Sequence, residues 1–440
     1  MKKVGKILIV LIAVSLFGCN TNPQKNGEVE TDKNQIENYG KVFKSLKKYL
    51  AKENGKLWGE QLYGPILLVD KNDRKIFANE PDSMGLLTKK GRIYVGLLPK
   101  EMNIANTATE WNGKRWTMVM LPLPEDRNER LNLLTHELFH RIQPELGFDK
   151  FGSTSGNNLD AMDGRIYLKL ELEALKKALE SGDEGVARNN IRNALSFRIY
   201  RDSLYPGEKT AENALELNEG LAEYTGSILS GRNDEMLKEH YIKSIDNFYH
   251  NRTFVRSFAY VTIPSYGYFM NKENPNWNRE ISDTTDLTDY MTGFFHVSVP
   301  AGFKDSIDRI KMEYGFDTIA KIENERAEAR KKLMKKYEDR FQGHPTLTLN
   351  LQNMGIQFDP RNIMPFKDAG TIYPNMRVTD DWGILSVNDG ALLSKHWDKV
   401  TVSEPTMITD TVVNGSGWKL ELNKGWEVIR SSKNYILKKK

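Results

Sequence analysis

The chain has 440 residues, of which 39% are hydrophobic and 28% are charged. This composition is typical of folded globular domains and excludes a disordered chain or a membrane protein with several spans. The single cysteine excludes intrachain disulfides and cysteine-based zinc clusters, so any metal site must use His, Asp or Glu. The 63 Lys and Arg residues barely exceed the 59 Asp and Glu residues, and three of the lysines lie at the extreme N-terminus. The rest of the chain is nearly neutral, so no nucleic-acid partner is expected.

The N-terminal residues have the pattern of an export signal. A short basic segment precedes the apolar run Ile7–Phe17, which is too short to span a bilayer but fits the hydrophobic region of a signal peptide. The tetrapeptide Leu16-Phe17-Gly18-Cys19 resembles the lipobox of bacterial lipoproteins, in which the cysteine is lipidated. We therefore expect a signal peptide over 1–18, a lipid anchor at Cys19 and a flexible polar tether over 19–34. The anchor would place the protein on a membrane of the bacterial cell envelope, and a soluble secreted form is the alternative.

Beyond the tether, the pattern predicts an α+β protein in three parts. Residues 35–125 begin with an amphipathic helix and continue with short β-like runs, which the hairpin signal Asn112-Gly113 helps to join into a mostly antiparallel sheet. Residues 126–340 have mainly helical patterns. Residues 344–440 contain short runs rich in Val, Thr, Ile and Trp between turn signals such as Asn414-Gly415, which predicts a small C-terminal β domain. The predicted strands of the first part are 65–70, 75–78, 91–98, 104–110 and 115–121.

The pattern His-Glu-x-x-His occurs in the helical segment 131–142. On an α-helix, His136 and His140 lie one turn apart on the same face, so both imidazoles can bind a single Zn²⁺. Glu137 is rotated far enough from that face to hold a metal-bound water rather than the metal. In a chain of this composition, chance would produce the pattern on the order of 0.01 times, so it favours a metal site over two ordinary histidines. A catalytic zinc takes three protein ligands, which requires a third residue.

Two glutamates downstream are candidates for the third ligand. Glu171 borders the apolar stripe of a helix predicted over 165–179, where a salt-bridged or solvated carboxylate is the ordinary alternative. Glu219 lies in a second predicted helix, over 211–229, one turn before Glu223. Glutamates at 216, 219 and 223 repel one another on such a helix, and a zinc ion with its histidines would offset that repulsion. We therefore favour Glu219, with an exposed acidic helix as the alternative.

The second helix resembles a known motif. The sequence Asn-Glu-Gly-Leu-Ala-Glu over 218–223 is similar to the NExxx(D/E) helix of the gluzincin metallopeptidases, which supplies the third zinc ligand in that superfamily. The resemblance implies a zincin-like catalytic body in which His136, His140 and Glu219 bind Zn²⁺ and Glu137 activates water. It also implies that Glu223 orients a ligating imidazole, as carboxylates beside metal ligands commonly do. The expected activity is zinc-dependent hydrolysis of a peptide or protein substrate.

The chain departs from the familiar gluzincins in its spacing. His140 and Glu219 are 79 positions apart, far more than in those enzymes, so residues 150–208 are expected to form an insertion of two helices. The aminopeptidase signature GxMEN is not found in the sequence, which favours an endopeptidase or a distinct lineage. In the superfamily an edge strand of the sheet can bind substrate as an added strand. The segment 106–110 is the candidate for that edge.

A peptidase of this type also needs a donor that stabilises the oxyanion of the tetrahedral intermediate. Tyr266, in a segment rich in Gly and Pro, is the first choice, and His240, His250 and His296 are its rivals. A different class of function also fits the sequence: a non-catalytic or degenerate zinc-containing envelope lipoprotein that binds protein or glycan. The intact Glu137 favours catalysis, because a purely structural zinc site has no use for a base.

Overall fold

The computed structural model describes residues 27–99, 102–151, 158–298, 303–358 and 362–440. The predicted signal peptide and the lipidation site Cys19 lie outside these residues. The first helix, α1, spans Gly27–Glu53. It therefore includes residues 27–34, which the sequence analysis placed in the flexible tether. Among the described residues, no helix is both long and apolar enough to cross a bilayer.

A mixed sheet of six strands follows α1, with the spatial order β3-β4-β2-β1-β6-β5. All neighbouring strands are antiparallel except β1 and β6, which are parallel. Its buried face includes Trp116 and Met118. The strands are β1 Ile66–Asp70, β2 Lys75–Ala78, β3 Thr88–Lys90, β4 Ile93–Leu97, β5 Thr107–Trp111 and β6 Lys114–Leu121. The mostly antiparallel sheet predicted from the sequence is confirmed, with β3 as an additional short strand.

The hairpin between β5 and β6 positions one edge of this sheet. Asn112 and Gly113 have φ values of 48° and 77°, so both central residues of the turn adopt the left-handed conformation that a type I′ hairpin requires. The pairing runs from Trp111 opposite Lys114 to Thr107 opposite Met118. Strand β5 is consequently an edge strand, with one side unpaired among the described residues.

Helices occupy most of the chain between the first sheet and residue 338. Two of them, α3 and α4, fill the segment that the sequence analysis expected to be a two-helix insertion. The helices after α1 are α2 Arg127–Ile142, α3 Met162–Glu180, α4 Glu184–Leu204, α5 Lys209–Leu215, α6 Leu221–Ile228, α7 Asp234–Phe248, α8 Ala259–Glu273, α9 Leu287–Phe294, α10 Phe303–Ile310 and α11 Phe316–Glu338. A π-helix, Glu216–Gly220, joins α5 to α6.

The described residues form two compact units. The first contains the described residues up to 159 together with 167–250 and 257–316, and the second contains 160–166, 251–256 and 317–440. Helix α11 therefore groups with the C-terminal strands, although the sequence analysis placed it in the helical part ending at 340. The reason is packing, since Tyr337 at the end of α11 is buried with Phe366 and Ile372 of the β domain.

The C-terminal β domain consists of a seven-stranded and a six-stranded sheet that share one hydrophobic core. The strand orders are β18-β19-β7-β14-β13-β10-β9 and β15-β16-β17-β12-β11-β8. The strands are β7 Thr346–Asn350, β8 Gly355–Phe358, β9 Met364–Phe366, β10 Gly370–Tyr373, β11 Met376–Asp380, β12 Gly383–Val387, β13 Ala391–Leu393, β14 Lys399–Ser403, β15 Pro405–Ile408, β16 Val412–Gly415, β17 Trp418–Leu422, β18 Trp426–Ser431 and β19 Asn434–Lys439. The chain is thus α+β, with an N-terminal sheet, helices and a C-terminal β domain, as the sequence predicts.

Candidate metal centre

Helix α2 carries the two histidines and is fixed at both its start and its buried face. The side chain of Asp126 caps the helix by accepting hydrogen bonds from the backbone N–H groups of Asn128 and Glu129. An apolar stripe anchors the helix in the core, with every member less than 8% exposed. The stripe consists of Leu131, Leu134, Leu138 and Ile142. The face beside this stripe presents both imidazoles to α6 and the π-helix.

Three potential ligand atoms converge at this face. The Nε2 atoms of His136 and His140 are 3.1 Å apart, and Oε2 of Glu219 lies 3.6 Å from the first and 3.3 Å from the second. Ligands bound at about 2.0–2.1 Å to a tetrahedral Zn²⁺ are about 3.3–3.4 Å from one another. The observed separations therefore match three corners of a zinc tetrahedron. The structure brings Glu219 to the histidines across 79 positions of sequence.

The outer nitrogens of both imidazoles are occupied by acceptors. Nδ1 of His136 lies 2.8 Å from Oε2 of Glu223, and Nδ1 of His140 lies 2.7 Å from Oε1 of Gln143. Gln143 is oriented by its own Nε2, which donates to the carbonyl of Asn218 at 2.9 Å. With protons on both Nδ1 atoms, the two Nε2 atoms and the Glu219 carboxylate are three acceptors that face one another. A cation between them would convert that repulsion into coordination.

The carboxylates around the two histidines raise the pKa of both imidazoles. Burial alone would lower the pKa of His136, but hydrogen bonds to Glu219 and Glu223 outweigh it and raise this pKa well above its usual value. Burial also opposes the charged form of His140, and Glu219 again raises its pKa. The carboxylates therefore attract positive charge to the space between the ligand atoms, and a divalent cation would satisfy the same field.

Glu137 is buried beside the histidines, and one of its two carboxylate oxygens lacks a hydrogen bond to any described residue. It is 5% exposed, and its Oε2 atom has no hydrogen-bond partner among the described residues. Burial raises the pKa of this carboxyl group, and the nearby carboxylates of Glu219 and Glu223 act in the same direction. A raised pKa and a free oxygen suit a group that accepts and returns a proton.

A tyrosine that the sequence analysis did not single out lies against the ligand atoms. The hydroxyl of Tyr260, in the first turn of α8, donates to Oε2 of Glu219 at 2.5 Å. Its ring stacks on the imidazole of His136, with ring centroids 5.7 Å apart and an angle of 8° between the planes. The pKa of Tyr260 is raised well above its usual value, first by burial and then by the carboxylate of Glu219. Its hydroxyl therefore stays protonated and available as a donor.

The predicted donor Tyr266 is located elsewhere. Its side chain is fully buried, and its hydroxyl donates to Oε1 of Glu171 at 3.0 Å. It lies six residues after Tyr260, about 9 Å further along the axis of α8, where its hydroxyl meets Glu171 instead of a residue of the candidate metal centre. Tyr260 rather than Tyr266 is the hydroxyl that the fold brings to the candidate metal centre. Among the rival histidines, His240 lies 3.5 Å from Glu129 near the start of α2.

The alternative ligand Glu171 is part of a buried network of ion pairs. It accepts hydrogen bonds from Nε of Arg198 at 2.7 Å and from Nη1 of Arg201 at 2.5 Å. Arg198 also binds both oxygens of Glu216, and Arg201 binds Glu212. Burial alone would raise the pKa of Glu171, but the two arginines lower it overall. Glu171 therefore has its cationic partners already, and Glu216 is relieved by Arg198 rather than by a metal.

A polar chain extends from Glu223 away from the histidines. The side-chain amide of Asn132 donates to Oε1 of Glu223 at 2.9 Å and accepts from Nη1 of Arg232 at 3.1 Å. Arg232 in turn pairs with Glu129 on α2. Both oxygens of Glu223 thus have partners, and the carboxylate is held in the orientation that faces His136. Helical spacing could have suggested Asn132 and Gln143, which lie four residues before His136 and three after His140, whereas no local pattern marks Tyr260.

The edge strand β5 lies next to the helix of the histidines. Helix α2 packs against β5 and β6, and Nε of Arg115 on β6 donates to the carbonyl of Arg141, directly after His140. Arg115 also pairs with Glu110 on β5. The segment 106–110, predicted to bind substrate, thus overlaps the edge strand β5. This strand packs against α2, the helix that carries the two histidines.

Within the part of the chain that the structure describes, His136, His140 and Glu219 form a group of His, Asp or Glu side chains that could hold a metal ion, with all their ligand atoms within 4.8 Å of one another. Comparisons with protein-family models, with curated proteins and with solved structures find no match to this chain. The functional assignment therefore depends on the geometry and chemistry of these residues.

Proposed function

We propose that the protein is a zinc-dependent peptide-bond hydrolase with a gluzincin-like, zincin-type catalytic body. The observation that carries this proposal is the convergence of two imidazole Nε2 atoms and one carboxylate oxygen at the separations expected for zinc ligands. Two histidines and one carboxylate leave a coordination position for water, as catalytic zinc sites do. Glu137, Glu223 and Tyr260 lie beside this centre and support the proposal.

The residues of the chain have separate roles in this mechanism. Zinc held by His136, His140 and Glu219 would polarise the scissile carbonyl and make water a nucleophile near neutral pH. Glu137 accepts the proton of the attacking water and returns it to the leaving amine. Glu223 holds His136 in the tautomer that presents Nε2. An extended peptide would pair with the free edge of β5, which orients its carbonyl groups alongside the centre.

The test of this proposal is a metal analysis combined with peptide cleavage. The wild-type protein is expected to bind about one zinc per chain and to cleave members of a peptide library. Glu219→Ala should bind zinc much more weakly and lose cleavage, whereas Glu235→Ala, an exposed glutamate on α7, should match the wild type. A wild-type protein that binds no zinc contradicts the hydrolase proposal. Zinc binding without any cleavage would favour the non-catalytic lipoprotein instead.

Tyr260 is proposed as the donor that stabilises the oxyanion. Tyr260→Phe removes the hydroxyl beside Glu219 and is expected to lower kcat about 10²- to 10³-fold, the usual effect of losing one oxyanion donor. Tyr266→Phe is the matched control, because it removes a hydroxyl on the same helix that donates to Glu171 and not to Glu219. It should reduce thermal stability and leave kcat unchanged. Steady-state kinetics of both variants would reverse the assignment if Tyr266→Phe had the larger effect on kcat.

The cellular location follows from the sequence alone. We propose that Cys19 is lipidated and that the enzyme is tethered to a membrane of the bacterial envelope, where it acts on peptide or protein substrates.

A further inference from the structure

Glu219, the proposed third ligand, belongs to the π-helix Glu216–Gly220, which determines the direction of its side chain. Between α5 and α6, the backbone N–H of Leu221 donates to the carbonyl of Glu216, five residues earlier. In an α-helix it would donate to Leu217, four residues earlier. The wider turn changes the direction of the side chains in it, and such turns are frequent at functional sites. The direction of the Glu219 side chain therefore depends on this π-helix, which neighbouring residues must hold in place.

Gln143 supports this π-helix from the side of α2. The side chain is 3% exposed, and its Nε2 donates to the carbonyls of Leu217 at 3.4 Å and Asn218 at 2.9 Å. Its Oε1 faces Nδ1 of His140 at 2.7 Å. One carboxamide thus connects the helix that carries both histidines with the backbone that carries Glu219. The connection requires an acceptor and a donor in the same side chain.

Arg198 supports the π-helix from the opposite side. Its two terminal nitrogens bind the two oxygens of Glu216 at 2.7 Å each, and the hydroxyl of Thr262 donates to the same carboxylate at 2.6 Å. This bidentate pair fixes the first residue of the π-helix in orientation as well as in place. Helix α8 closes over its last residue, since a Cβ on Gly220 would lie 2.7 Å from Ile263.

We propose that Gln143 and Arg198 are positioning residues that hold the π-helix in the register at which Glu219 faces the histidines. This inference rests on the proposed zinc site. It also gives a role to the long segment between His140 and Glu219, because α4 supplies Arg198 from that segment. Neither side chain reaches the space between the ligand atoms, so both act through Glu219 and His140. Loosening the π-helix lowers the fraction of molecules in which all three ligands converge, and metal affinity falls with it.

The experiment measures zinc affinity in the full chain by competition with a chromogenic chelator, together with the absorption spectrum of the Co²⁺-substituted protein. Gln143→Leu removes both contacts and is expected to weaken zinc binding about 10- to 100-fold. Gln143→Glu keeps the acceptor for His140 but cannot donate to the carbonyls, so its affinity should be intermediate. The matched control is Asn190→Leu, a buried carboxamide that donates to Val186 and accepts from Tyr314. It should lose thermal stability and keep the zinc affinity and Co²⁺ spectrum of the wild type.

A second pair of variants tests the support that Arg198 gives to the π-helix. Arg198→Lys retains the charge but loses the planar fork that binds both oxygens of Glu216, and it should weaken zinc binding. Arg201→Lys is matched in burial, and the side chain of Arg201 donates to Glu171 and Glu212, both outside the π-helix, so this variant should leave zinc binding unchanged. The inference is overturned if Gln143→Leu stays within about threefold of the wild type or if Asn190→Leu weakens zinc equally. Equal effects of the two arginine variants would overturn it too, whereas absence of zinc from the wild type would refute the proposed function itself.

Discussion

Glu137→Gln is expected to abolish peptide hydrolysis while leaving zinc bound. The amide has the shape of the carboxylate but cannot accept a proton near neutral pH, so water activation and protonation of the leaving amine are both lost. A single proton-transfer group contributes about 10²- to 10⁴-fold to a rate, and Glu137 performs two transfers in the proposed mechanism. We therefore expect kcat to fall by at least about 10³-fold.

The zinc content of the same protein is the internal control for this result. Glu137 makes no side-chain hydrogen bond through Oε2 among the described residues, and its neighbours His136 and His140 are held by Glu223 and Gln143. Removing its charge should therefore leave the ligands in place. Residual activity within about tenfold of the wild type would contradict the role as a base. Loss of zinc together with activity would show that Glu137 supports the metal centre instead.

The parts of the site that local geometry determines could be read from the sequence. The i, i+4 spacing of His136 and His140 places both imidazoles on one face whatever the rest of the fold does. The leucine stripe beside them indicates which face of α2 is buried. Glu219 was favoured from charge repulsion on its helix and from the motif resemblance, and the role of Glu223 came from the resemblance alone, because nothing local specifies which helix will pack against α2.

The sequence could not reveal contacts that depend on packing between distant segments. Tyr260 reaches Glu219 only because α8 crosses the π-helix closely at Gly220. Glu216 was interpreted as one of three like charges on an α-helix, but the π-helix changes the phase of the turn and Glu216 pairs with Arg198. A π-turn has no reliable sequence signal, since it adds one residue to an otherwise ordinary helical pattern.

In the C-terminal domain, the sequence identified a hairpin but not the exact position of its turn. Asn414-Gly415 was predicted as a turn, but both residues lie in β16 and the turn falls at the next two residues, with Gly417 at φ 75°. Gly415 is needed there for another reason, because a Cβ would lie 2.2 Å from the ring of Trp418. Asparagine and glycine therefore identified the hairpin, although its turn lies two residues further along the chain.

Glu171→Ala is expected to destabilise the fold strongly without removing zinc from the molecules that remain folded. The substitution leaves Nε of Arg198 and Nη1 of Arg201 without their partner in the interior. Arg198 keeps Glu216 and Arg201 keeps Glu212, but each buried donor left without an acceptor costs about 1–3 kcal/mol, and more on a charged group. Glu173→Ala, on the same helix, breaks contacts of a side chain that is 29% exposed and should cost below about 1 kcal/mol. Denaturant unfolding monitored by fluorescence measures both values.

The difference in unfolding free energy between wild type and Glu171→Ala should depend on pH, and that dependence tests whether the charge on Glu171 causes it. Burial opposes ionisation, but Arg198 and Arg201 lower the pKa of Glu171 below its unfolded-state value. A carboxyl group with a lowered pKa in the folded state stabilises the fold fully above its unfolded pKa and loses that contribution as the pH falls through the folded pKa. The gap between wild type and Glu171→Ala should therefore be constant from about pH 5 to 8 and narrow in stronger acid. If instead Glu171→Ala lost zinc at unchanged stability while Glu219→Ala kept it, the assignment of Glu219 as the third ligand would be overturned in favour of Glu171.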